Sequence, residues 1–234
     1  MNAYPSSSSW IVTLVCGASG VGKSSIAVRL ASRYGVPLAE ADDIVTALKA
    51  LTTPEQMPTL HLWDNQPDAR EWAPPRIAEL TIEVAEELRR GFEAVIADHV
   101  ESATPVVMEG DYLLPDLGVG FGAAVRAVVI SEPDENRIVM NYLSREAGAG
   151  EQRLRARVSA LLDAELSTRA AQVDVPVVAA RPWTDGLERV DAALRLGFPP
   201  GCGHTAIHDG SASGHVDAVH RGAPSGCAAV VPPS

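Results

Sequence analysis

Residues Gly17-Ala18-Ser19-Gly20-Val21-Gly22-Lys23-Ser24 spell G-x-x-x-x-G-K-[ST], between an apolar run ending at Cys16 and an amphipathic stretch beginning at Lys23. No other feature restricts the fold as tightly, because this motif works only at a strand-to-helix junction. Its glycines let the backbone wrap a chain of phosphates, and the free N–H groups and dipole of the following helix favour anionic oxygens. Lys23 is expected to reach the β- and γ-phosphates, the Ser24 hydroxyl to hold Mg²⁺, and Ser25 to bond the α-phosphate. A chance match in a chain of this composition arises on the order of once in a thousand sequences. The competing dinucleotide fingerprint, Gly-x-Gly-x-x-Gly, has different glycine spacing and no lysine at the helix start. The sequence therefore predicts nucleoside triphosphate binding by residues 17–25.

The rest of the chain reads as the scaffold such a loop requires. Short Val- and Ile-rich runs at residues 10–16, 36–40, 105–109, 125–131 and 175–179 predict buried strands. Between them, helices are expected over 23–33, from about Asp42, through Ile77, Leu80, Val84 and Leu88, and over 92–101, 134–144, 151–171 and 185–196. Alternating strands and helices give an α/β, three-layer domain with a five-stranded parallel sheet over residues 10–197. Residues 1–9 read as a flexible N-terminus. Residues 198–234, rich in Gly, Ala, Pro and Ser, read as a disordered tail whose His204, His208, His215 and His220 are too loosely spaced for a metal site.

Charge and cysteine content narrow the function classes. The 19 basic and 30 acidic residues leave a net charge of −11, which argues against nucleic acid or an anionic membrane as partner. The first apolar run is too short for a membrane span and no basic residue precedes it, so a cytoplasmic protein is expected. Cys16, Cys202 and Cys227 lack the spacing of a zinc site or disulfide framework and read as free thiols. Charge is unevenly spread: residues 40–136 hold six basic and 20 acidic residues, whereas 137–169 hold six basic and four acidic. Of the two lysines, one is Lys23.

The type of triphosphate protein follows partly from missing signatures. There is no N-K-x-D guanine motif, and the third strand ends Val106-Val107-Met108-Glu109-Gly110-Asp111 rather than in the Asp-Glu of a remodelling ATPase. Glu109 would stand at a strand's carboxyl edge, where ligands bind in open α/β sheets, and could hold a Mg²⁺-bound water or the acceptor. Arg181 follows the fifth strand, where it could stack on adenine. Residues 52–76, with Met57, His61, Trp63, Asp64 and Trp72, and residues 110–117 are candidates to wall an acceptor pocket. His61 and His99 are each expected in structural roles before functional ones.

The loop, Ala41-Asp42-Asp43-Ile44, Glu109-Gly110-Asp111-Tyr112-Leu113-Leu114-Pro115 and the run 175–180 together resemble the P-loop small-molecule kinase superfamily. Within it, the 2-phosphoglycerate kinase-like family is most similar. The resemblance implies sheet order 2-3-1-4-5 and a helical lid. It also implies that Asp42 faces the γ-phosphate and deprotonates an acceptor hydroxyl, the alternative being that Asp42 or Asp43 caps the second helix. Lid arginines would contact the transferring phosphoryl, with Arg145 first and Arg137 and Arg153 next. The sequence departs from the 2-phosphoglycerate kinase pattern at Val45 and Tyr112, where that family has Arg and His. Losing that cationic pair leaves a sugar, an amino-alcohol antibiotic or another hydroxylated metabolite as equal candidates.

The expectation is a kinase, monomeric or homodimeric, that uses ATP and Mg²⁺ to phosphorylate a small-molecule hydroxylated acceptor. Lys23, Asp42 and Arg145 would carry the chemistry. The alternative is a nucleotide-dependent regulatory ATPase or switch acting on a protein partner.

Overall fold

The computed structural model describes residues 9–66, 68 and 71–196. The expected flexible lead-in, apart from Ser9, and the expected tail, with its histidines and two cysteines, lie outside the described residues.

Strands β1 (Val12–Cys16), β2 (Leu38–Glu40), β3 (Val106–Gly110), β4 (Val125–Ser131) and β5 (Val177–Ala179) form one parallel sheet in the order β2-β3-β1-β4-β5. Every residue of β1 and β3 is buried, the signature of central parallel strands covered on both faces. Register aligns Val15 with Glu109 and Val128, and Glu40 with Glu109, so the strand ends carrying the chemistry lie side by side. The topology switches at β1, whose neighbours β3 and β4 run off in opposite directions. A ligand crevice is expected beyond that point.

Helices α1 (Lys23–Tyr34) and α7 (Gly186–Leu196) meet on one side of the sheet, and α4 (Pro74–Glu101) and α6 (Arg153–Gln172) meet on the other. Leu14, Ile26, Leu30, Leu80, Leu88, Phe92, Ile96 and Met108 are fully buried in the core between these layers. Each such side chain contributes roughly 1.5–3 kcal/mol. Cys16 is buried there too, and burial pushes its thiol up to about 12, so it is an inert core residue. Among the described residues no helix is long and apolar enough to cross a membrane.

A second, smaller cluster joins α5 (Glu135–Arg145) to the start of α6 through Ile138, Val139, Tyr142 and Ala156. Asp134 caps α5, its carboxylate accepting from the N–H groups of Asn136 and Arg137. The α5–α6 hairpin thus has its own core and overhangs the loop after β1.

Four expectations differ from the structure. The separate helices expected through Ile77–Leu88 and over 92–101 are one 28-residue helix, α4. Gly91 does not break it, since a helical glycine costs only about 1 kcal/mol and the buried face on both sides outweighs that. Helix α2 (Ala41–Leu51) begins earlier than expected, with Glu40 at its N-cap position, so Asp42 and Asp43 lie in its first turn and neither caps it. The stretch 52–76, a candidate acceptor wall, contains α3 (Leu62–Asn65), and short 3₁₀ turns over Pro115–Ala124, interrupted at Gly122, lie between β3 and β4. β5 starts two residues late because Pro176 has no N–H to donate, although its carbonyl still accepts from Val129.

Candidate active site

The loop leaves β1 and enters α1 through Gly22, whose φ of 96° lies in the left-handed region. A Cβ there would stand 1.9 Å from the Trp183 ring, so only glycine lets the β5–α7 segment close over the loop. No side chain caps α1 and no acidic residue stands in its first turn, so its first N–H groups are free for an anion. Beside them is a cavity of about 500 Å³, which includes Gly20, Gly22, Lys23, Ser24, Ser25 and Arg145 in its lining. Asn141, Tyr142 and Trp183 complete the far wall.

Lys23 opens α1 with only 6 % of its surface exposed. Its ammonium donates directly to Oδ1 of Asp111, one residue past β3, and Glu109 Oε2 lies 3.9 Å away. Burial alone would drive off the proton, but Asp111, Glu109 and Asp42 outweigh it and raise the Lys23 pKa above the ordinary value. Lys23 is a firm cation.

Glu109 is as buried as Lys23, and its Oε2 accepts no hydrogen bond. Burial raises its pKa first, with Asp111 and Glu40 adding to the shift, while Lys23 and a hydrogen bond from Ser24 oppose it. The Ser24 hydroxyl and an orphaned carboxylate oxygen form a hard oxygen pair that fits Mg²⁺.

Asp42 stands on the exposed side of the α2 first turn. Partial desolvation and then the charge of Asp111 raise its pKa, against the pull of Lys23. Gly110 makes this approach possible: a Cβ on it would lie 2.4 Å from Ala41 Cβ, so α2 can start directly against the end of β3. Tyr112 is half-buried beside these acids, and burial first and then Asp111 and Asp42 push its phenol up to about 12. It remains a neutral hydroxyl. Val45, where the similar family has Arg, is buried.

Around the cavity the α5–α6 hairpin supplies the remaining polar groups. Asn141 Nδ2 donates to the Gly20 carbonyl at 2.7 Å, and Arg181 Nη2 donates to Asn141 Oδ1 at 3.1 Å. The Arg181 guanidinium lies 5.3 Å from the Trp183 ring and pairs with buried Glu132, so it braces the cavity wall. Arg145 lines the cavity and also donates to Glu146 Oε1.

The arginine that reaches the loop is Arg155. Its Nη2 donates to Ser19 Oγ at 3.2 Å while the guanidinium sits 4.3 Å from the Tyr142 ring. Glu146 holds both Arg145 and Arg155, and those bonds, with one from Gln152, keep its carboxyl down at about 2. Arg153 pairs with Glu151, and Arg137 with Glu132 and Asp134, both exposed and neither among the residues lining the cavity.

The structure thus divides the expected site residues between two sides of Lys23. Gly20, Gly22, Ser24, Ser25 and Arg145 lie on the β4–β5 side, with Gly17, Ala18 and Val21 forming the turn behind them. Asp42 and Glu109 lie on the β2–β3 side. Asp111, Arg155, Asn141, Tyr142 and Trp183 were not singled out by the sequence. Asp111 follows Glu109 by two residues, the spacing that returns a side chain to the same side of an extended strand, and this was its available signal. His61, a candidate acceptor contact, is buried with its Nε2 3.1 Å from Thr52 Oγ1, and His99 Nδ1 bonds the Thr104 carbonyl. Both serve local structure.

No family model matches the chain. A 2-phosphoglycerate kinase of Methanothermobacter thermautotrophicus is 30 % identical over 111 residues, which are 45 % of this chain and 36 % of that protein. The match therefore spans about a third of the curated relative's length. Among solved structures, a gluconokinase from Sinorhizobium meliloti 1021 is similar at TM-score 0.44 and 20 % identity, covering 83 % of this chain and 94 % of that one. A shikimate kinase from Aquifex aeolicus is similar at TM-score 0.44 and 17 % identity, covering 79 % and 96 %. The sequence similarity thus runs to a 2-phosphoglycerate kinase, the family that the motif resemblance named.

Proposed function

We propose that this protein is an ATP- and Mg²⁺-dependent phosphotransferase that moves the γ-phosphoryl group to a hydroxyl of a small metabolite in the cytoplasm. The observation that carries this reading is the placement of Lys23 between an open helix N-terminus with a cavity on one side and three carboxylates on the other. A triphosphate laid along residues 17–25 would bring its terminal phosphate to Lys23. An acceptor would then approach from the side of Asp42 and Asp111.

Asp42 is the base: its carboxylate takes the acceptor's hydroxyl proton as the oxygen attacks the γ-phosphorus. The new O–P bond forms, the bond from that phosphorus to the bridging oxygen breaks, and ADP leaves with the electron pair. Lys23 neutralises charge on the transferring group, and Arg155 or Arg145 closes from the α5–α6 hairpin. Mg²⁺ would be held by Ser24 and Glu109, where it supplies charge neutralisation at the phosphate oxygens. The protein's own contribution is position and dryness, because a phosphoryl group in transfer needs charge balance more than covalent help.

The test is ADP release with ATP and Mg²⁺ across a panel of hydroxylated acceptors, with Asp42→Asn as the control. Acceptor-dependent release that Asp42→Asn abolishes is expected. Slow hydrolysis that no metabolite accelerates, together with nucleotide-dependent capture of a protein partner, would instead favour a regulatory ATPase.

A further inference from the structure

The carboxylates on the β2–β3 side of Lys23 exceed what the phosphate-binding half of the site requires. Glu40 and Glu109 are neighbours across β2 and β3, Asp111 follows β3, and Asp42 and Asp43 open α2. Their mutual repulsion is visible in the groups themselves: Asp42 feels Asp111, Glu40 and Asp43, and Glu109 feels Asp111 and Glu40. The cation acting on Asp42 and Glu109 is Lys23, which is also the partner of Asp111. The other lysine, Lys49, is bonded to Asp64 at 3.0 Å. Beside the cluster stand buried Val45 and the neutral phenol of Tyr112, neither of which supplies a cation.

An acidic cluster alone would be a solvated face. Two observations separate this one from that case. Glu109 is 94 % buried by its 6 % exposure, and its Oε2 accepts no hydrogen bond while facing the Lys23 ammonium at 3.9 Å. Asp111 is joined to the same ammonium, so the cluster balances its charge by borrowing the cation that phosphate binding will claim. When Lys23 turns to a phosphate chain, Asp111 and Asp42 lose their counter-charge at the position the acceptor enters. Mg²⁺ at Ser24 and Glu109 would compensate Glu109 but leave the other two.

We propose that the acceptor carries a cationic amine, an amino alcohol or amino sugar, whose ammonium replaces Lys23 as the partner of Asp111 while Asp42 takes the hydroxyl proton. This rests on the phosphotransferase reading above and deepens it. It opposes a carboxylated or phosphorylated acceptor, whose anion would meet Asp42 and Asp111 with no cation to receive it. Tyr112, held neutral, offers a hydroxyl to the rest of such an acceptor without adding charge.

The experiment has two stages so that the two readings fail separately. Calorimetric titration of the full chain with a non-hydrolysable ATP analogue and Mg²⁺ comes first; no binding there overturns the phosphotransferase reading and this proposal with it. With the analogue bound, matched trios are titrated: glucosamine, glucose and glucuronate, then serinol, glycerol and glycerate. The aminated member of at least one trio is expected to bind about tenfold or more tighter than its neutral counterpart, with the carboxylated member weakest. Asp111→Asn is expected to shrink that preference to about twofold. Equal binding within both trios, tighter binding of a carboxylated member, or no binding of either aminated member with the analogue in place would each overturn the proposal. An aminated preference that Asp111→Asn leaves intact would overturn the role given to Asp111.

Discussion

Lys23 and Asp111 meet at the carboxyl end of the sheet, the ammonium at the start of α1 donating to the carboxylate just past β3. Through this contact the phosphate-binding half of the site and the carboxylate half share one charge. Removing the lysine should therefore affect more than nucleotide binding.

Lys23→Met would leave Glu109 buried with no cation beside it. We expect a loss of about 2 kcal/mol in urea unfolding at neutral pH. The pH dependence has a definite sign: the folded-state pKa of Glu109 is already raised by burial and would rise further, so the folded protein holds that proton more tightly than the unfolded chain does. Stability of the variant, relative to the parent, should recover as pH falls through that raised pKa and the buried acid becomes neutral. A deficit that grows on acidification would contradict this.

At the loop, Gly22→Ala would meet two obstacles, a left-handed backbone and the Trp183 ring 1.9 Å from the new Cβ. Nucleotide affinity should fall by more than about tenfold and stability by more than about 1 kcal/mol. Pairing it with Trp183→Ala should restore part of the stability, since the clash goes but the backbone strain stays. A double variant no more stable than Gly22→Ala would show that Trp183 does not close over the loop.

Among the hairpin arginines the geometry ranks Arg155 above those chosen from sequence. Arg155→Ala should lower kcat by about 10²-fold or more if its guanidinium reaches the transferring group, whereas Arg153→Ala, tied only to exposed Glu151, should stay within about twofold. Arg145→Ala should fall between them. Steady-state rates for the three variants decide the order.

Asp42 is held above the ordinary aspartate value by desolvation and by Asp111. As a base it works only when ionised, so kcat/KM should be lost as pH falls through the raised pKa and be flat above it. The acid limb of the profile should lie above the ordinary aspartate value. Asp111→Asn removes the charge that assists this rise and should move the limb to lower pH.

Much of the fold was legible because β1 and β3 are fully buried runs and the loop is a motif with fixed geometry. β1, β3 and β4 appear where Val and Ile concentrate, and the resemblance supplied the order of the five strands. What failed were judgements that depend on tertiary packing. Residues 92–101 were read as a separate helix, yet α4 runs on through Gly91, where an added Cβ would make only an ordinary 3.5 Å contact with Leu48. Capping by Asp42 or Asp43 was the alternative to a catalytic Asp42, and it fails because α2 starts against Gly110 with Glu40 at its N-cap position.

The site was legible in its phosphate half and only partly in the other. Residues 17–25 are contiguous, so sequence alone brings them together. Arg155 meets Ser19 across 136 residues, and no local spacing encodes that contact. Arg145 drew attention because glycines flank the segment after it, while the position of Arg155 is set by the buried Tyr142 ring it lies over. Charge segregation along the chain did signal the arrangement in outline: the acidic middle contributes Asp42, Glu109 and Asp111, and the arginine-rich stretch contributes the hairpin.

The central claim is that phosphoryl transfer to a small hydroxyl compound takes place at Lys23. Its most direct measurement is formation of phosphorylated acceptor alongside ADP, quantified together by mass spectrometry for the parent and for Lys23→Ala with ATP and Mg²⁺. Equal amounts of the two products are expected for the parent, and loss of both by about 10³-fold or more in the variant. Full transfer by Lys23→Ala, or ADP formed by the parent with no phosphorylated acceptor from any amine-bearing, neutral or acidic compound supplied, would contradict it.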